Sequence, residues 1–157
     1  MLPSRFPLHA AVLLLSVWCP LAAAEYAVVV NGASALTGLS ASELTQILKA
    51  EKQTWDTGNK ILLVMPKEGS KEEAMLLEKI FKTDADGLKK FWTTQIYQNR
   101  VTAAPKTAIG KAALKVVELK TDAITIVNVA EIPSGSPLKA LTIDGKKPGE
   151  HGYPLAD

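Results

Sequence analysis

Short, continuous apolar runs alternate with amphipathic stretches along the chain, and this pattern predicts strands separated by helices. Residues 26–30 (YAVVV) and 61–65 (ILLVM) are typical of strands covered on both faces, because no polar residue interrupts them. Residues 123–129 predict a third strand, and residues 138–143 predict a last one. The tail, residues 145–157, is rich in Gly and Pro and shows no periodicity.

Four helices are predicted between these strands. Ser40 with Glu43 and Ser70 with Glu73 have the spacing of a capping box, in which each side chain binds the other residue's backbone N–H group. A third helix follows the second after a short break, and a fourth is predicted over residues 107–119. The residues expected to face the core in the first three helices are Leu44, Ile47 and Leu48; Ala74, Leu77, Ile80 and Phe81; and Leu88, Phe91, Trp92 and Ile96.

Strands that alternate with helices indicate an α/β domain with a mainly parallel sheet flanked by helices. Four strands and four helices suffice for one core in a chain of this size. Trp92 is expected in that core, whereas Trp55 interrupts a polar loop and is expected either to cover the edge of the sheet or to contribute to a binding surface. Lys111, Lys115 and Lys120 predict a solvated helix face and tail.

The N-terminal segment, residues 1–24, has the pattern of a cleavable signal peptide. Arg5 supplies the positive charge, residues 10–18 are apolar but too short to span a bilayer, and small residues precede Glu25, where cleavage is expected. An uncleaved anchor and a lipoprotein processed at Cys19 are weaker alternatives, the second because a bulky Trp precedes the cysteine. We therefore expect a periplasmic domain over residues 25–157, with no membrane insertion after cleavage.

Composition and charge exclude several classes of function. The 157 residues carry 18 basic and 16 acidic side chains, and this balance is too even for a nucleic-acid-binding protein. The single cysteine excludes a disulfide within the monomer and a cysteine-rich zinc site. His151 lies in the aperiodic tail without the neighbours of a triad or a metal site. The sequence therefore predicts no cofactor, no metal and no enzymatic activity.

One stretch has the pattern of an anion site, because the strand at 61–65 leads through a Gly-Ser loop into a helix. Free backbone N–H groups and the positive end of the helix dipole meet at such a point. The loop after the first strand is the other candidate wall. An ordinary helix cap explains the same pattern at the Gly-Ser loop and remains the alternative. The candidate ligand-binding residues are Asn31, Gly32, Ser34, Thr37, Gly69, Ser70 and Lys71.

The order of several motifs resembles the phosphate-binding periplasmic proteins of ABC transporters. These motifs are the LSASEL segment at 39–44 with Ile47 and Leu48, then Lys52, Thr54, Trp55 and Gly58, then EGS at 68–70, and later Phe91, Trp92, Ile96, Tyr97, Pro105, Asp144, Gly145, Pro148 and YPL at 153–155. The resemblance covers nearly the whole chain after residue 24. It implies a type II periplasmic-binding-protein-like fold, in a short form with a single lobe.

The resemblance implies binding of phosphate or another small oxyanion, but two departures weaken that expectation. Family members clamp phosphate between two lobes, and this chain suffices for one. Where the family carries Arg, Asp and Ser-Gly-Thr, this chain has Pro66, Glu68 and SKE at 70–72. We therefore expect either weak oxyanion binding, alone or with a second lobe and an ABC permease, or a ligand-free periplasmic interaction or sensory-accessory domain with a membrane sensor as partner.

Overall fold

The computed structural model describes residues 25–156, so the predicted signal peptide lies outside the described residues. The strands are β1 (Tyr26–Asn31), β2 (Gly38–Leu39), β3 (Leu62–Pro66), β4 (Lys106–Ala108), β5 (Ala123–Asn128), β6 (Leu138–Ala140) and β7 (Thr142–Ile143). The helices are α1 (Ala41–Leu48), α2 (Lys71–Leu76), α3 (Ala85–Tyr97) and α4 (Gly110–Leu119). A π-helical turn, Leu77–Phe81, continues α2, and a 3₁₀ turn, Val129–Glu131, follows β5.

The central sheet has five strands in the order β4-β3-β5-β1-β6. Strands β3, β4 and β5 are parallel, whereas β1 runs antiparallel to both of its neighbours, β5 and β6. Helices cover the sheet, so the predicted α/β class with a mainly parallel sheet is confirmed. Because β3, β4 and β5 point the same way, their carboxyl ends meet at one edge of the sheet.

Both faces of the sheet are buried, as the unbroken apolar runs predicted. Val28, Val30 and Ile126 belong to a core shared with α1, α2 and the C-terminal tail. Val29 and Val127 belong to the core on the other face, which α4 covers. All six residues of β1 are buried, so this strand lies at the centre of the domain.

Several local predictions are confirmed. Ser40 caps α1 with both bonds of the capping box: the Glu43 N–H donates to Ser40 Oγ over 3.1 Å, and the Ser40 N–H donates to Glu43 Oε2 over 3.0 Å. The bond from the Ser40 backbone holds the pKa of Glu43 below its ordinary value. Trp92 is buried in the core. The three lysines Lys111, Lys115 and Lys120 are exposed.

The fourth helix begins later than predicted. Residues Lys106–Ala108 form the edge strand β4, which pairs in parallel with β3 and includes Thr107 and Ala108 from the predicted helix; α4 begins only at Gly110. Pro105 favours extended backbone at its own position and at the residue before it. Pairing with β3 extends that conformation by three residues, which short-range patterns do not reveal.

The last predicted strand is divided in two. Residues Leu138–Ala140 pair with β1, whereas Thr142–Ile143 pair with β2 in a separate two-stranded sheet. Leu141, between them, is fully buried, and the segment predicted as one strand therefore belongs to two sheets. The central sheet accordingly has five strands, where four were predicted, and the two-residue β2 was not predicted at all.

The predicted core face of α2 is partly wrong. Ala74 is exposed, and Met75 and Leu76 are the buried apolar residues of the helix. The π-helical turn Leu77–Phe81 then changes the angular spacing of the following side chains, and Ile80 and Phe81 are half-buried against the core. A constant period of 3.6 residues therefore places the core face one position out of phase.

The aperiodic tail ends in the core. Tyr153 and Leu155 are buried, and the Val28 N–H donates to the Tyr153 hydroxyl over 3.4 Å. Burial raises the pKa of that phenol above its ordinary value. Within residues 25–156, no helix combines the length and the hydropathy that crossing a bilayer requires.

Candidate functional site

A pocket of about 290 Å³ opens where the parallel strands end. Pro66 at the end of β3, Ala108 at the end of β4 and Ile126 near the end of β5 form its floor. Ligands of α/β proteins bind at this edge, beyond the carboxyl ends of parallel strands. The remaining lining residues come from the β3–α2 loop, the start of α4 and the turn after β5: Lys67, Glu68, Gly69, Ser70, Glu72, Ile109, Gly110 and Glu131.

The β3–α2 loop brings Gly69 and Ser70 into this pocket. Gly69 has a φ of +79°, a left-handed conformation that glycine adopts without strain. Ser70 is the N-cap of α2, and its Oγ accepts the Glu73 N–H over 3.1 Å. The cap on which the alternative interpretation depends is therefore present.

The second half of the predicted capping box at Ser70 is wrong. Glu73 Oε2 accepts the N–H of Gly69 over 2.6 Å, and the N–H of Ser70 donates to the carbonyl of Lys67 over 3.1 Å. Two loop amides are therefore already bonded within the protein. The amides of Lys71 and Glu72 remain, because the first N–H groups of a helix have no acceptor within it.

Charged side chains surround the pocket, and most of them are acidic. The carboxylates of Glu68, Glu72 and Glu131 line it, against the single ammonium group of Lys67. Glu68 is paired with Lys89 over 2.8 Å, both side chains being exposed, and this bond raises the pKa of Lys89. The predicted site residue Lys71 has an exposed side chain that does not line the pocket.

The other candidate wall lies at the opposite end of the sheet. Val30 and Leu63 both pair with Ile124, so the end of β1 lies beside the beginning of β3 and β5. The loop after β1 therefore begins about a strand's length from the pocket at the end of β3. Gly69 and Ser70 line the pocket, whereas the candidate residues in the loop after β1 lie at the other end of the sheet and do not.

Asn31 is bonded within the protein through both ends of its amide. Its Nδ2 donates to the carbonyl oxygens of Val117 and Glu118 over 3.1 and 2.9 Å, and its Oδ1 accepts the Ala33 N–H over 2.9 Å. The residue is 8% exposed. Asn31 thus joins the end of β1 to the last turn of α4, whose carbonyl groups receive no hydrogen bond from an N–H group of the same helix.

Hydrogen bonds to other parts of the protein are also made by the remaining three candidates in this loop, Gly32, Ser34 and Thr37. The Gly32 N–H donates to the Pro137 carbonyl over 2.8 Å, and Ser34 Oγ accepts the Leu36 N–H over 3.3 Å. The Thr37 carbonyl accepts the Thr142 N–H over 3.3 Å. These bonds shape the loop between β1 and β2.

Trp55 lies beside that loop rather than beside the pocket at the end of β3. It is 8% exposed, and its Nε1 donates to the Asp122 carbonyl over 3.1 Å. The indole therefore covers the beginning of β5, a central rather than an edge strand, and it lines a pocket together with Ser34 and Leu36. Its contribution to a binding surface stays a prediction.

Sequence reasoning missed the α4 side of the pocket, namely Ala108, Ile109, Gly110 and Glu131. The missing information was the strand β4, because the pairing of β4 with β3 is what places the start of α4 beside β3. A glycine at the beginning of a predicted helix, as in the AIGK segment at 108–111, was the available signal.

The fold of this chain is similar to that of several solved proteins. A phosphate transport receptor from Vibrio cholerae superimposes with a TM-score of 0.66 over 85% of this chain and 54% of its own, at 18% identity. The fold is that of phosphate-transporter binding proteins. A Clostridium perfringens structure, described as a phosphate ABC transporter substrate-binding protein with bound phosphate, gives a TM-score of 0.61 over 80% of this chain and 47% of its own, at 15% identity.

The phosphate-transporter binding-protein fold recurs in PstS from Borrelia burgdorferi, with a TM-score of 0.59 over 80% of this chain and 50% of its own, at 15% identity. This chain therefore spans about half the length of the solved chains that it matches. No protein-family model and no curated protein sequence matches it. The likeness is thus one of fold.

Proposed function

We propose that this chain is a secreted, phosphate ABC-transporter-like binding protein, and that the pocket at the carboxyl ends of β3, β4 and β5 takes phosphate or another small oxyanion. The observation that carries the proposal is the position of the pocket, at the ligand-binding edge of a fold shared with phosphate-transporter binding proteins. The resemblance in motif order, through EGS at 68–70, supports it independently.

The backbone supplies the groups that bind an anion. The helices α2 and α4 both begin at the pocket, through Ser70 and through Ile109 and Gly110. The first N–H groups of a helix are unpaired, and the helix dipole adds partial positive charge there. Lys67 supplies one full positive charge, and the hydroxyl of Ser70 supplies a further donor.

The affinity of the single chain is expected to be weak. A carboxylate 4 Å from an anion costs about 1 kcal/mol in water and about 4 kcal/mol near a protein surface. The chain also lacks the bidentate Arg of the family, since Pro66 stands in its place. Binding then depends on closure by a second lobe, from a longer protein or another chain, and delivery depends on an ABC permease. We place the protein in the periplasm, after cleavage before Glu25.

Isothermal titration of the purified chain with phosphate and sulfate tests this proposal. We expect weak heats that saturate at millimolar ligand, and a several-fold loss of affinity in Ser70→Ala. Ser34→Ala is the matched control, because the Ser34 hydroxyl accepts a backbone hydrogen bond in a loop at the opposite end of the sheet. The Ser34→Ala variant should bind phosphate as tightly as the wild type. Absence of heat and of any thermal shift at millimolar anion would exclude a transport role for the single chain.

A ligand-free interaction or sensory-accessory domain is the second candidate. The acidic lining and the internally bonded amides of Gly69 and Ser70 favour it. In that case Ser70→Ala lowers the free energy of unfolding by about 1 kcal/mol, the value of a lost N-cap, and changes no anion affinity. Chemical denaturation of the two serine variants, read beside the titration, distinguishes the two functions.

A further inference from the structure

Glu131, in the turn after β5, has a buried carboxylate oxygen that receives no hydrogen bond. Its Oε2 is completely buried, and it is the only buried side-chain oxygen or nitrogen within residues 25–156 that has no hydrogen-bond partner. No ion pair reaches Glu131 from the described residues. A buried carboxylate oxygen without a donor is costly, so its position calls for a physical reason.

That oxygen lies against Gly110, the first residue of α4. A Cβ added to Gly110 would overlap Oε2, so only glycine leaves room for the carboxylate there. The backbone of Gly110 is helical, a conformation that alanine favours more than glycine does. The glycine thus keeps a space of about one oxygen atom open at the beginning of α4.

The beginning of α4 offers this space a positive potential. The N-cap residue is Ile109, whose side chain has no hydrogen-bonding group, and no side chain caps the helix. The unpaired first-turn N–H groups and the dipole of a ten-residue helix favour negative charge there. The carboxylate of Glu131 supplies that charge from within the protein.

We propose that Glu131 is the affinity-determining residue of the oxyanion pocket: its carboxylate occupies the place of an oxyanion oxygen beside Gly110 and competes with any anion that enters. The inference rests on the proposed function for its class of ligand, a small oxyanion. An entering phosphate meets the charge of Glu131 in a partly buried pocket, where the lower dielectric makes the repulsion between two negative charges stronger than in water. Among the three carboxylates of the lining, Glu131 then weakens binding most, because it lies against the beginning of α4, whereas Glu68 is paired with Lys89.

The test is titration of phosphate into Glu131→Gln and Glu131→Ala, beside the wild-type chain. The glutamine keeps the shape of the side chain, loses the charge and adds an N–H donor, whereas the alanine vacates the space. We expect both variants to bind phosphate at least about tenfold more tightly, which corresponds to a change of about 1.4 kcal/mol. Glu51→Gln removes the same charge from an exposed position at the opposite end of the sheet, and its affinity should not change.

A double variant tests the position itself. Adding Gly110→Ala to Glu131→Ala fills the vacated space with a methyl group, so the gain in affinity should be lost again. Thermal unfolding of each variant confirms that it is folded before titration.

The possible outcomes separate this inference from the proposed function. If the wild type binds phosphate through Ser70 and the Glu131 variants bind no better, the inference is overturned and the proposed function stands. If only the Glu131 variants bind, the inference is supported, and the wild-type chain is not itself an oxyanion-binding protein. If no variant binds, both are overturned.

Discussion

At the scale of single residues, the structure separates candidate side chains that are used within the fold from those that face a pocket. Asn31 ends a buried strand and precedes a glycine, which is the pattern of a binding loop, but its side-chain hydrogen bonds all reach the protein's own backbone. Ser70 likewise stands beside a glycine in the loop after a buried strand, and it lines the pocket. Local sequence cannot distinguish them, because the partners of Asn31 at Val117 and Glu118 are 86 and 87 residues away.

Asn31→Ala tests the structural role of this residue. The change leaves two carbonyl groups at the end of α4 and one N–H group at Ala33 without their partner, and the loss of such bonds costs about 1–3 kcal/mol of the free energy of unfolding. Urea denaturation measures that cost. A ligand-binding role would show instead as a loss of phosphate affinity in a variant with unchanged stability.

At the scale of elements, most local signals were reliable, although the second bond of the Ser70–Glu73 box did not form, and the elements that depend on distant partners were missed. The central strands and the cap of α1 are predictable, because buried apolar runs and a Ser-x-x-Glu box depend on a few neighbouring residues. The strand β4 and the division of residues 138–143 depend on partners in β3 and β2, far away in sequence. The α4 side of the pocket was missed for the same reason, since β4 is what brings Gly110 to the end of β3.

The helical phase of α2 yields a prediction of its own. Met75 is 4% exposed, so Met75→Ala should lower the free energy of unfolding by about 2–5 kcal/mol through the cavity that it leaves. Ala74→Ser, at the exposed neighbouring position, is the control and should change stability by about 0.5 kcal/mol or less. If the Ala74 variant were the more destabilised one, the core face of α2 would be wrongly placed.

At the scale of the whole molecule, the pocket lies at one edge of the sheet and is open. The chain spans about half the length of the phosphate-transporter binding proteins that share its fold. In the proposed function, another lobe supplies the second half of the binding site, and the single chain contributes the beginnings of α2 and α4. Glu131 then limits how tightly this half alone holds an oxyanion.

The most direct test of this account is to map phosphate onto the backbone amides by two-dimensional ¹H–¹⁵N NMR titration of the full chain. We expect the largest shift changes on Lys71 and Glu72 at the start of α2 and on Gly110 and Lys111 at the start of α4. They should grow in Glu131→Gln. Shift changes confined to residues 32–37 at the opposite end of the sheet, or none at millimolar phosphate in either protein, would contradict it.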